Sequence, residues 1–432
     1  MKSDTIVAIS TPRGVGGIAV ARLSGDEALA IALRHLSVKN LASHHAVYCR
    51  FDELDDVVTT YFPKGYTGEP TVEISCHGSL YVQQALLQTL VDDGARLAEA
   101  GEFTRRAFLN GRLDLSQAEA VADLIDSVTP AQHRLAVSQL RGGYAQKLKE
   151  LRQQLLDFTS LLELELDFSQ EDVEFADRSQ LRKILSTLHF QISTLIASFR
   201  LGNAIKRGVP VAIVGKPNAG KSSLLNALLG DDRAIVSDLP GTTRDTIEET
   251  LTLDGITFRF IDTAGLRHSD DQVETLGVER SRKAVAQADI VLYLHDATTP
   301  WTEPDIDLAD KTFFVVHTKA DLPTAVERVG ELFISTKTGY GLDALKQKII
   351  DTFRSRMGKE NDIMLTNARH YEALGRVKQA LDAVAQGLDG GIPADLVAVD
   401  LRDALYHLGT ITGEVTSEEM LGNIFGRFCI GK

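Results

Sequence analysis

Cysteine is scarce in this 432-residue chain, and the scarcity excludes a fold held together by disulfides. Only Cys49, Cys76 and Cys429 occur, an odd number at wide spacings. Small disulfide-rich secreted domains carry many cysteines at short spacings instead. The apolar and charged fractions, 44% and 25%, are those of ordinary globular proteins. We therefore expect a reduced, cytoplasmic protein of two or three domains, each with its own hydrophobic core.

Long apolar runs are also missing. No stretch approaches the roughly 20 apolar residues that a membrane-spanning helix requires, so we expect no membrane segment. The first ten residues, MKSDTIVAIS, contain an acid and only a short apolar stretch, which does not fit a signal peptide. The last four, CIGK, have a glycine and a terminal lysine that a prenylation box would not have.

Positive charge is in deficit, because 46 lysines and arginines face 60 acids and the net charge is −14. A protein that binds nucleic acid over a broad surface usually has a basic face. Any contact with RNA is therefore expected to use a local basic patch or a basic partner.

The pattern of apolar residues divides the chain into four segments. Residues 1–112 alternate short strand-like runs (5–9, 17–23 and 71–75) with helical patterns such as 80–91, which predicts an α+β domain. Residues 113–205 and 355–432 have helical periodicity, with Gly142-Gly143 expected to bend one helix. Residues 206–354 alternate strands with helices, which predicts a mostly parallel, doubly wound sheet. The simplest architecture is a helical domain split by an inserted α/β domain.

A phosphate-binding loop lies at the start of the inserted domain. The sequence GKPNAGKS at 215–222 matches the P-loop pattern, with an apolar strand before it and a helix after it. Such glycines let backbone N–H groups surround phosphates, while Lys221 reaches the β- and γ-phosphates and the Ser222 hydroxyl ligates Mg²⁺. The loop predicts phosphate-binding residues Asn218, Ala219, Gly220, Lys221, Ser222 and Ser223.

Two later segments supply the remaining groups that face the phosphates. In GTTRD at 241–245, Thr242 lies beside the nucleotide, and Thr243 is our candidate for the second protein ligand of Mg²⁺. The segment DTAG at 262–265 ends a strand. Asp262 can hold the metal through water, and the Gly265 N–H can contact the γ-phosphate. Thr263 and Ala264, which lie between them, are also predicted to bind the nucleotide. Loops held by the γ-phosphate and released on hydrolysis are the usual switch.

The segment TKAD at 318–321 selects the base. Guanine presents N1–H and a 2-amino group as adjacent donors, and the Asp321 carboxylate can accept both, whereas adenine offers no such pair. Thr318 replaces the usual asparagine. Lys319 belongs to the same segment, and Ser335, Thr336 and Lys337 form the loop that closes over the base. Together the motifs predict a GTPase.

The water-orienting residue is unusual. Many GTPases carry a glutamine just after DxxG, but Leu266 occupies that position here and cannot bond water. Glu274 is our candidate for orienting water; the alternative is a surface acid. A monovalent cation held by Asn218 and the stretch 237–242 could supply the missing positive charge.

The chain as a whole resembles the tRNA-modification GTPase family MnmE, also called TrmE. The segments that carry the resemblance lie outside the nucleotide motifs: DTIVAI at 4–9, GEFTRRAFLNGRLDL at 101–115, LGTITGEVT at 408–416 and CIGK at 429–432. The resemblance implies action with an FAD-dependent partner, MnmG, to add an aminomethyl or carboxymethylaminomethyl group at C5 of the wobble uridine of certain tRNAs.

Further features follow from the resemblance alone. The carbon would come from a 5,10-methylene- or 5-formyl-tetrahydrofolate bound by the N-terminal domain, with Arg22, Glu73, Arg112 and Lys432 at the matching positions. For each of these residues an ordinary salt bridge or surface charge is the alternative. The family also implies a homodimer, a heterotetramer with MnmG, and K⁺ contacts at Asn218, Ser237, Leu239 and Thr242.

Two other functions share the same nucleotide motifs. A ribosome-assembly GTPase would usually append a basic RNA-binding domain, and a signalling switch would need no chemistry of its own. Cys429 could act as a nucleophile in uridine chemistry or have a structural or regulatory role.

Overall fold

The computed structural model describes residues 4–168, 178–230, 249–261, 274–303, 308, 311–322, 331–355, 363–390 and 392–431, with only the backbone described at 163–168, 178–180, 274–280 and 394. The chain divides into two compact units. The first comprises Met1–Asp126, Ala136–Ile192 and Glu372–Lys432; the second comprises Ser127–Leu135 and Ser193–Tyr371.

A six-stranded sheet forms the N-terminal part of the first unit, in the order β3-β4-β5-β2-β1-β6. Only β1 and β6 pair in parallel; the other neighbours are antiparallel. The strands are β1 Ile6–Ile9, β2 Gly16–Ser24, β3 Ala46–Phe51, β4 Asp55–Phe62, β5 Thr71–Gly78 and β6 Arg96–Leu97, and the helices are α1 Ala28–His35, α2 Leu80–Asp92 and α3 Glu102–Leu109. The predicted strands and helix are confirmed, but the β3–β4 hairpin was not predicted.

Helices make up the rest of the first unit. They are α4 Leu115–Ile125, α5 Pro130–Leu140, α6 Gly143–Phe168, α7 Arg178–Arg207, α11 Ala368–Asp389, α12 Ala394–Thr412 and α13 Glu418–Phe425, of which α5, α7 and α11 extend into the second unit. The helical periodicity predicted for residues 113–205 appears on α6 as a stripe of apolar side chains that are buried from Tyr144 to Leu162. Instead of bending one helix, the glycine pair separates two, because Gly142 adopts φ +85° between the end of α5 and the start of α6.

The second unit contains a six-stranded sheet in the order β12-β11-β10-β7-β9-β8. All neighbours are parallel except β8 and β9, so the predicted mostly parallel sheet is confirmed. Its strands are β7 Val209–Gly215, β8 Glu249–Leu253, β9 Ile256–Phe260, β10 Ile290–Asp296, β11 Thr312–Thr318 and β12 Leu332–Phe333, and its helices are α8 Lys221–Gly230, α9 Glu274–Gln287 and α10 Leu342–Arg354.

Helices cover both faces of this sheet, because successive side chains of the central strand β7 point to opposite faces and pack in two different cores. Val211 and Ile213 of β7 share one core with α8 and α10, whereas Ala212 and Val214 share another with α9. A strand buried on both faces reads as a continuous apolar run, which is why β7 was recognisable in the sequence. The predicted fold class, a multidomain chain with a P-loop α/β domain inside a helical domain, is confirmed, whereas the domain boundaries stay predictions. Over the described residues, no helix combines the length and apolarity that a bilayer crossing requires.

Candidate functional site

Three parallel strands end side by side and bring the nucleotide motifs together. Gly215 at the end of β7 pairs with Leu294 of β10, and Asp296 at the end of β10 pairs with Thr318 at the end of β11. Ligands of open parallel sheets bind outside the carboxyl ends of the strands. The phosphate loop and the base-selecting segment therefore follow neighbouring strands at the same edge.

Backbone conformation shapes the phosphate loop. Gly215 has φ +151°, and a Cβ there would lie 2.4 Å from the carbonyl oxygen of Leu294, so no side chain fits. Asn218 and Gly220 also have positive φ, +63° and +89°. Helix α8 starts at the next residue, Lys221. Left-handed residues that lead into a helix N-terminus turn successive N–H groups inward, and this arrangement binds anions.

The Lys221 ammonium lies against the same loop. Its Nζ donates to the carbonyl oxygens of Gly215 at 2.8 Å and Lys216 at 2.9 Å. Burial lowers the pKa of Lys221 from its ordinary value. An ammonium has three protons, so these two bonds orient the group and leave one proton for a phosphate oxygen.

Thr318 joins the base-selecting segment to the phosphate loop. Its side-chain hydroxyl lies 2.9 Å from the carbonyl oxygen of Ala219 and 3.2 Å from that of His295. The residue is 3% exposed. Although the usual asparagine is replaced, the segment is still bonded to the phosphate loop.

Lys319 adopts a conformation that is uncommon for a residue with a side chain, with φ +61°. Its Nζ pairs with Asp296 at 2.5 Å. Burial acts to raise the pKa of Asp296, but hydrogen bonds from Lys319 and Thr298 outweigh it, and the pKa lies below its ordinary value. Asp296 is thus an ionised partner that fixes the lysine at the edge of the site.

Asp321 is oriented by the loop that follows β12. The hydroxyl of Ser335, a fully buried residue, donates to Asp321 Oδ1 at 2.7 Å. This bond lowers the pKa of Asp321, so the exposed carboxylate is ionised and can accept protons from a base. The Ser335 hydroxyl also accepts the N–H groups of Lys337 and Thr338, at 3.3 and 3.2 Å. The predicted base-selecting groups therefore converge.

The structure describes some of the remaining residues predicted to bind the nucleotide. Ala219 is buried in the phosphate loop, Ser222 and Ser223 lie in the first turn of α8, and Thr336 lies between Ser335 and Lys337. The following predicted residues lie outside the described part of the chain: Ser237, Leu239, Thr242, Thr243, Asp262, Thr263, Ala264, Gly265 and Lys432. Glu274 begins α9, but its side chain is not among those described.

The N-terminal sheet pairs two of the residues assigned to folate. Arg22 on β2 lies opposite Glu73 on β5, with Arg22 Nη2 2.8 Å from Glu73 Oε1. The guanidinium carbon lies 5.7 Å from the ring centres of both Tyr66 and Phe103. The salt bridge named above as the alternative to folate binding is therefore present, and the rings of Tyr66 and Phe103 lie close to its guanidinium group.

Arg112 lies near the loop that holds Tyr66. Its Cγ would be 3.2 Å from a Cβ at Gly68, a residue with φ +84°. Tyr66 bonds the Thr104 hydroxyl at 3.0 Å, and burial raises the pKa of Tyr66. The loop thus approaches Arg22 through Tyr66 and Arg112 through Gly68.

The C-terminal tail lies against the N-terminal domain. Ile430 forms an isolated β-bridge with Ala100, and the Cys429 carbonyl accepts the Gly101 N–H at 3.4 Å. Cys429 is an exposed free thiol. Across the described residues, no group of three or more His, Cys, Asp or Glu side chains is placed to hold a metal.

Several residues around these sites were not identified from the sequence. Asp296 could have been found, because it is the acid that ends an apolar strand beside the base-selecting segment. Tyr66 and Phe103 had no such signal, since their approach to Arg22 depends on the folded sheet. The same holds for Ser335 as the partner of Asp321, which was predicted only as a part of the closing loop.

Comparison with known proteins shows similarity over nearly the whole chain. A family model described as the MnmE helical domain matches residues 115–429, and one described as the GTP-binding protein TrmE N-terminus matches residues 5–112. A protein of Cytophaga hutchinsonii named tRNA modification GTPase MnmE is 49% identical over 451 residues, covering 100% of this chain and 98% of the relative. A protein of the same name from Parabacteroides distasonis is 47% identical over 460 residues, covering 99% of this chain and 100% of the relative.

Several solved structures align with part of the chain. The G domain of the T. maritima FeoB iron transporter is 29% identical and covers 33% of this chain and 97% of its own, with a TM-score of 0.25.

Proposed function

This chain belongs to the MnmE family of tRNA modification GTPases, and on that premise we propose that it couples GTP hydrolysis to the modification of C5 of the wobble uridine in certain tRNAs. The observation that carries the proposal is the convergence of the Lys221 loop and the Asp321 carboxylate at one edge of a parallel sheet. A phosphate cradle and an acceptor for the guanine edge are the two parts that GTP requires.

Hydrolysis would use the groups around the phosphates. Asp321 selects guanine, Lys221 contacts the β- and γ-phosphates, and Ser222 with Thr243 would ligate Mg²⁺. Bound Mg²⁺ and K⁺ would supply positive charge to the phosphoryl oxygens, with K⁺ held by Asn218, Ser237, Leu239 and Thr242. Glu274 would orient the attacking water, since Leu266 cannot.

The N-terminal domain would bind the one-carbon donor. Arg22 and Arg112 are cations that suit an acidic folate tail, and Glu73 is a carboxylate that suits a pterin edge; Lys432 would complete the set. The proposed donor is a 5,10-methylene- or 5-formyl-tetrahydrofolate. The chain would act in the cytoplasm as a homodimer that joins the FAD-dependent protein MnmG in a heterotetramer and acts on tRNA.

Wobble nucleosides test this function. Mass spectrometry of tRNA from cells that lack this protein should show loss of the aminomethyl or carboxymethylaminomethyl uridine, with recovery on complementation by the wild type. Complementation by Lys221→Ala should fail, whereas Lys216→Ala, an exposed lysine of the same loop, should restore most of the modification. Unchanged wobble uridine in the deletion strain would leave a ribosome-assembly or signalling GTPase as the better explanation.

Cation dependence tests the hydrolysis mechanism. The GTPase rate of the full chain should rise at least about tenfold when K⁺ replaces Na⁺, because a positioned charge near the transferring phosphoryl group stabilises the transition state. Glu274→Ala should lower kcat about 100-fold and leave the Kd for GTP within about twofold. Equal rates in the two salts would contradict the K⁺ site, and weakened GTP binding by the variant would contradict the role given to Glu274.

A further inference from the structure

We propose that Thr318 leaves N7 of the bound guanine without a side-chain donor from this position, so that the base is selected through its N1–H and 2-amino groups. The inference rests on the proposed binding of GTP and concerns which atoms of the base this site recognises. It makes the site tolerant of purine nucleotides altered at N7.

The single proton of the Thr318 hydroxyl is already directed into the protein. It has two acceptors within hydrogen-bond distance, the carbonyl oxygens of Ala219 at 2.9 Å and His295 at 3.2 Å. A hydroxyl has one proton to donate, and this side chain is 3% exposed. Donation to the base would require breaking a bond to a buried carbonyl, which costs free energy.

An asparagine at the same position could do both tasks. A carboxamide has two N–H protons and a carbonyl oxygen, so one proton could bond the Ala219 carbonyl while the other is donated to the base. Guanine N7 is an acceptor without a proton, so it needs such a donor. Threonine therefore preserves the connection to the phosphate loop and gives up the second donor.

The neighbouring groups of the segment leave selection to Asp321. The Lys319 ammonium pairs with Asp296 at 2.5 Å, and Ser335 orients the Asp321 carboxylate at 2.7 Å. An ionised carboxylate accepts protons and donates none, so it can bind the N1–H and 2-amino groups but cannot bind N7. The base contacts that these residues can make are thus confined to one edge of guanine.

Binding of 7-deaza-GTP, in which a C–H replaces N7, tests the proposal directly. Isothermal calorimetry of the full chain with Mg²⁺ should give Kd values for GTP and 7-deaza-GTP within about twofold of each other. Thr318→Asn should bind GTP about fivefold more tightly than 7-deaza-GTP, the effect of one added hydrogen bond. Thr318→Ser, which keeps the hydroxyl, should behave as the wild type.

Two results would overturn the proposal. The first is a wild-type preference for GTP over 7-deaza-GTP of fivefold or more; the second is a Thr318→Asn variant that still binds both equally, because residue 318 would then not control recognition of N7. Thr318→Val provides an independent check. Loss of the hydroxyl should weaken the binding of GTP and of 7-deaza-GTP about equally, so the ratio of their Kd values should stay near one. A wild-type chain that binds neither GTP nor GDP would contradict the proposed function instead.

Discussion

The two six-stranded sheets of this chain assemble their candidate sites in different ways. In the mostly parallel sheet of the second unit, neighbouring strands end at one edge, and the loops after β7 and β11 each carry a whole motif. In the mostly antiparallel N-terminal sheet, site residues face one another across strands, as Arg22 and Glu73 do at a separation of 51 residues. A parallel sheet therefore builds a site from contiguous segments, and an antiparallel sheet builds it from single residues.

Charge is also distributed differently in the two regions. At the nucleotide site the charged residue Lys319 is half-buried and Asp321 is exposed. In the N-terminal domain, Glu102 is 2% exposed and accepts from Arg96 at 2.7 Å, Arg106 at 3.0 Å and the Glu99 N–H at 2.8 Å. Asp4 and Glu69 extend this network around Arg106. We infer that the exposed charges at the nucleotide site serve recognition, whereas the buried network around Glu102 serves stability.

The largest expected effect concerns recognition. Asp321→Asn should weaken GTP binding on the order of 300-fold, because two charge-assisted bonds to the guanine edge are lost. The variant should gain affinity for xanthosine triphosphate, whose 2-carbonyl accepts where guanine donates. Thermal unfolding should change little, since the carboxylate is exposed. Nucleotide titrations measure the first two effects, and an unchanged preference for guanine would show that another group selects the base.

A second prediction places stability in the N-terminal network. Glu102→Gln should destabilise the N-terminal domain by about 2 kcal/mol, because two arginines lose a buried counter-charge. The matched control is Glu99→Gln, an exposed acid 3.6 Å from Arg105, which should cost less than about 0.5 kcal/mol. Hydrogen exchange of the α3 amides in the full chain measures both. GTP affinity should not change; equal effects of the two substitutions would remove the distinction between the regions.

The same residue predicts a pH dependence. Burial acts to raise the pKa of Glu102, but hydrogen bonds from Arg96, the Glu99 N–H and Arg106 outweigh it, so the folded-state pKa lies below the ordinary value. The stabilisation is then complete above the unfolded pKa of about 4.3 and is lost as the pH falls through the lower folded value. The difference in stability between wild type and Glu102→Gln should shrink over that acidic range. A difference independent of pH would point to packing instead of charge.

The smallest expected effect concerns the Arg22–Glu73 pair. Its side chains are 21% and 31% exposed, so a double-mutant cycle with Arg22→Gln and Glu73→Gln should give a coupling of only about 0.5–1 kcal/mol. Folate affinity should fall at least about tenfold in each single variant if the proposed site is correct, because each loses a charge-assisted bond to the ligand. Calorimetry with 5-formyl-tetrahydrofolate measures this, with Arg34→Gln, an exposed arginine paired with Asp93, as the control.

The part of the fold that the sequence predicts best is the phosphate loop, where local pattern and tertiary position coincide. The buried strand β7, the glycines of the phosphate loop and the start of α8 follow one another directly, and each is specified by nearby residues. The β3–β4 hairpin was not predicted. Burial alternates along most of both strands, but the exposed residues Tyr48 and Val58 are themselves apolar, so the residue types do not show the alternation. The sequence predicts a bend at Gly142-Gly143, but Gly142 has φ +85° and separates two helices. A glycine pair is compatible with either a bend or a helix end, so the sequence alone does not distinguish them.

The amino-acid sequence by itself determined the family and the order of the nucleotide motifs, and it predicts Asp321 as the base-selecting acid, since each depends on a short contiguous segment. Only the tertiary structure decided that Thr318 bonds Ala219, 99 residues away, and that Glu102 and Asp4 enclose Arg106. Such contacts depend on the pairing and packing of distant segments, in which a change of strand register or of helix position by one residue would bring other side chains together.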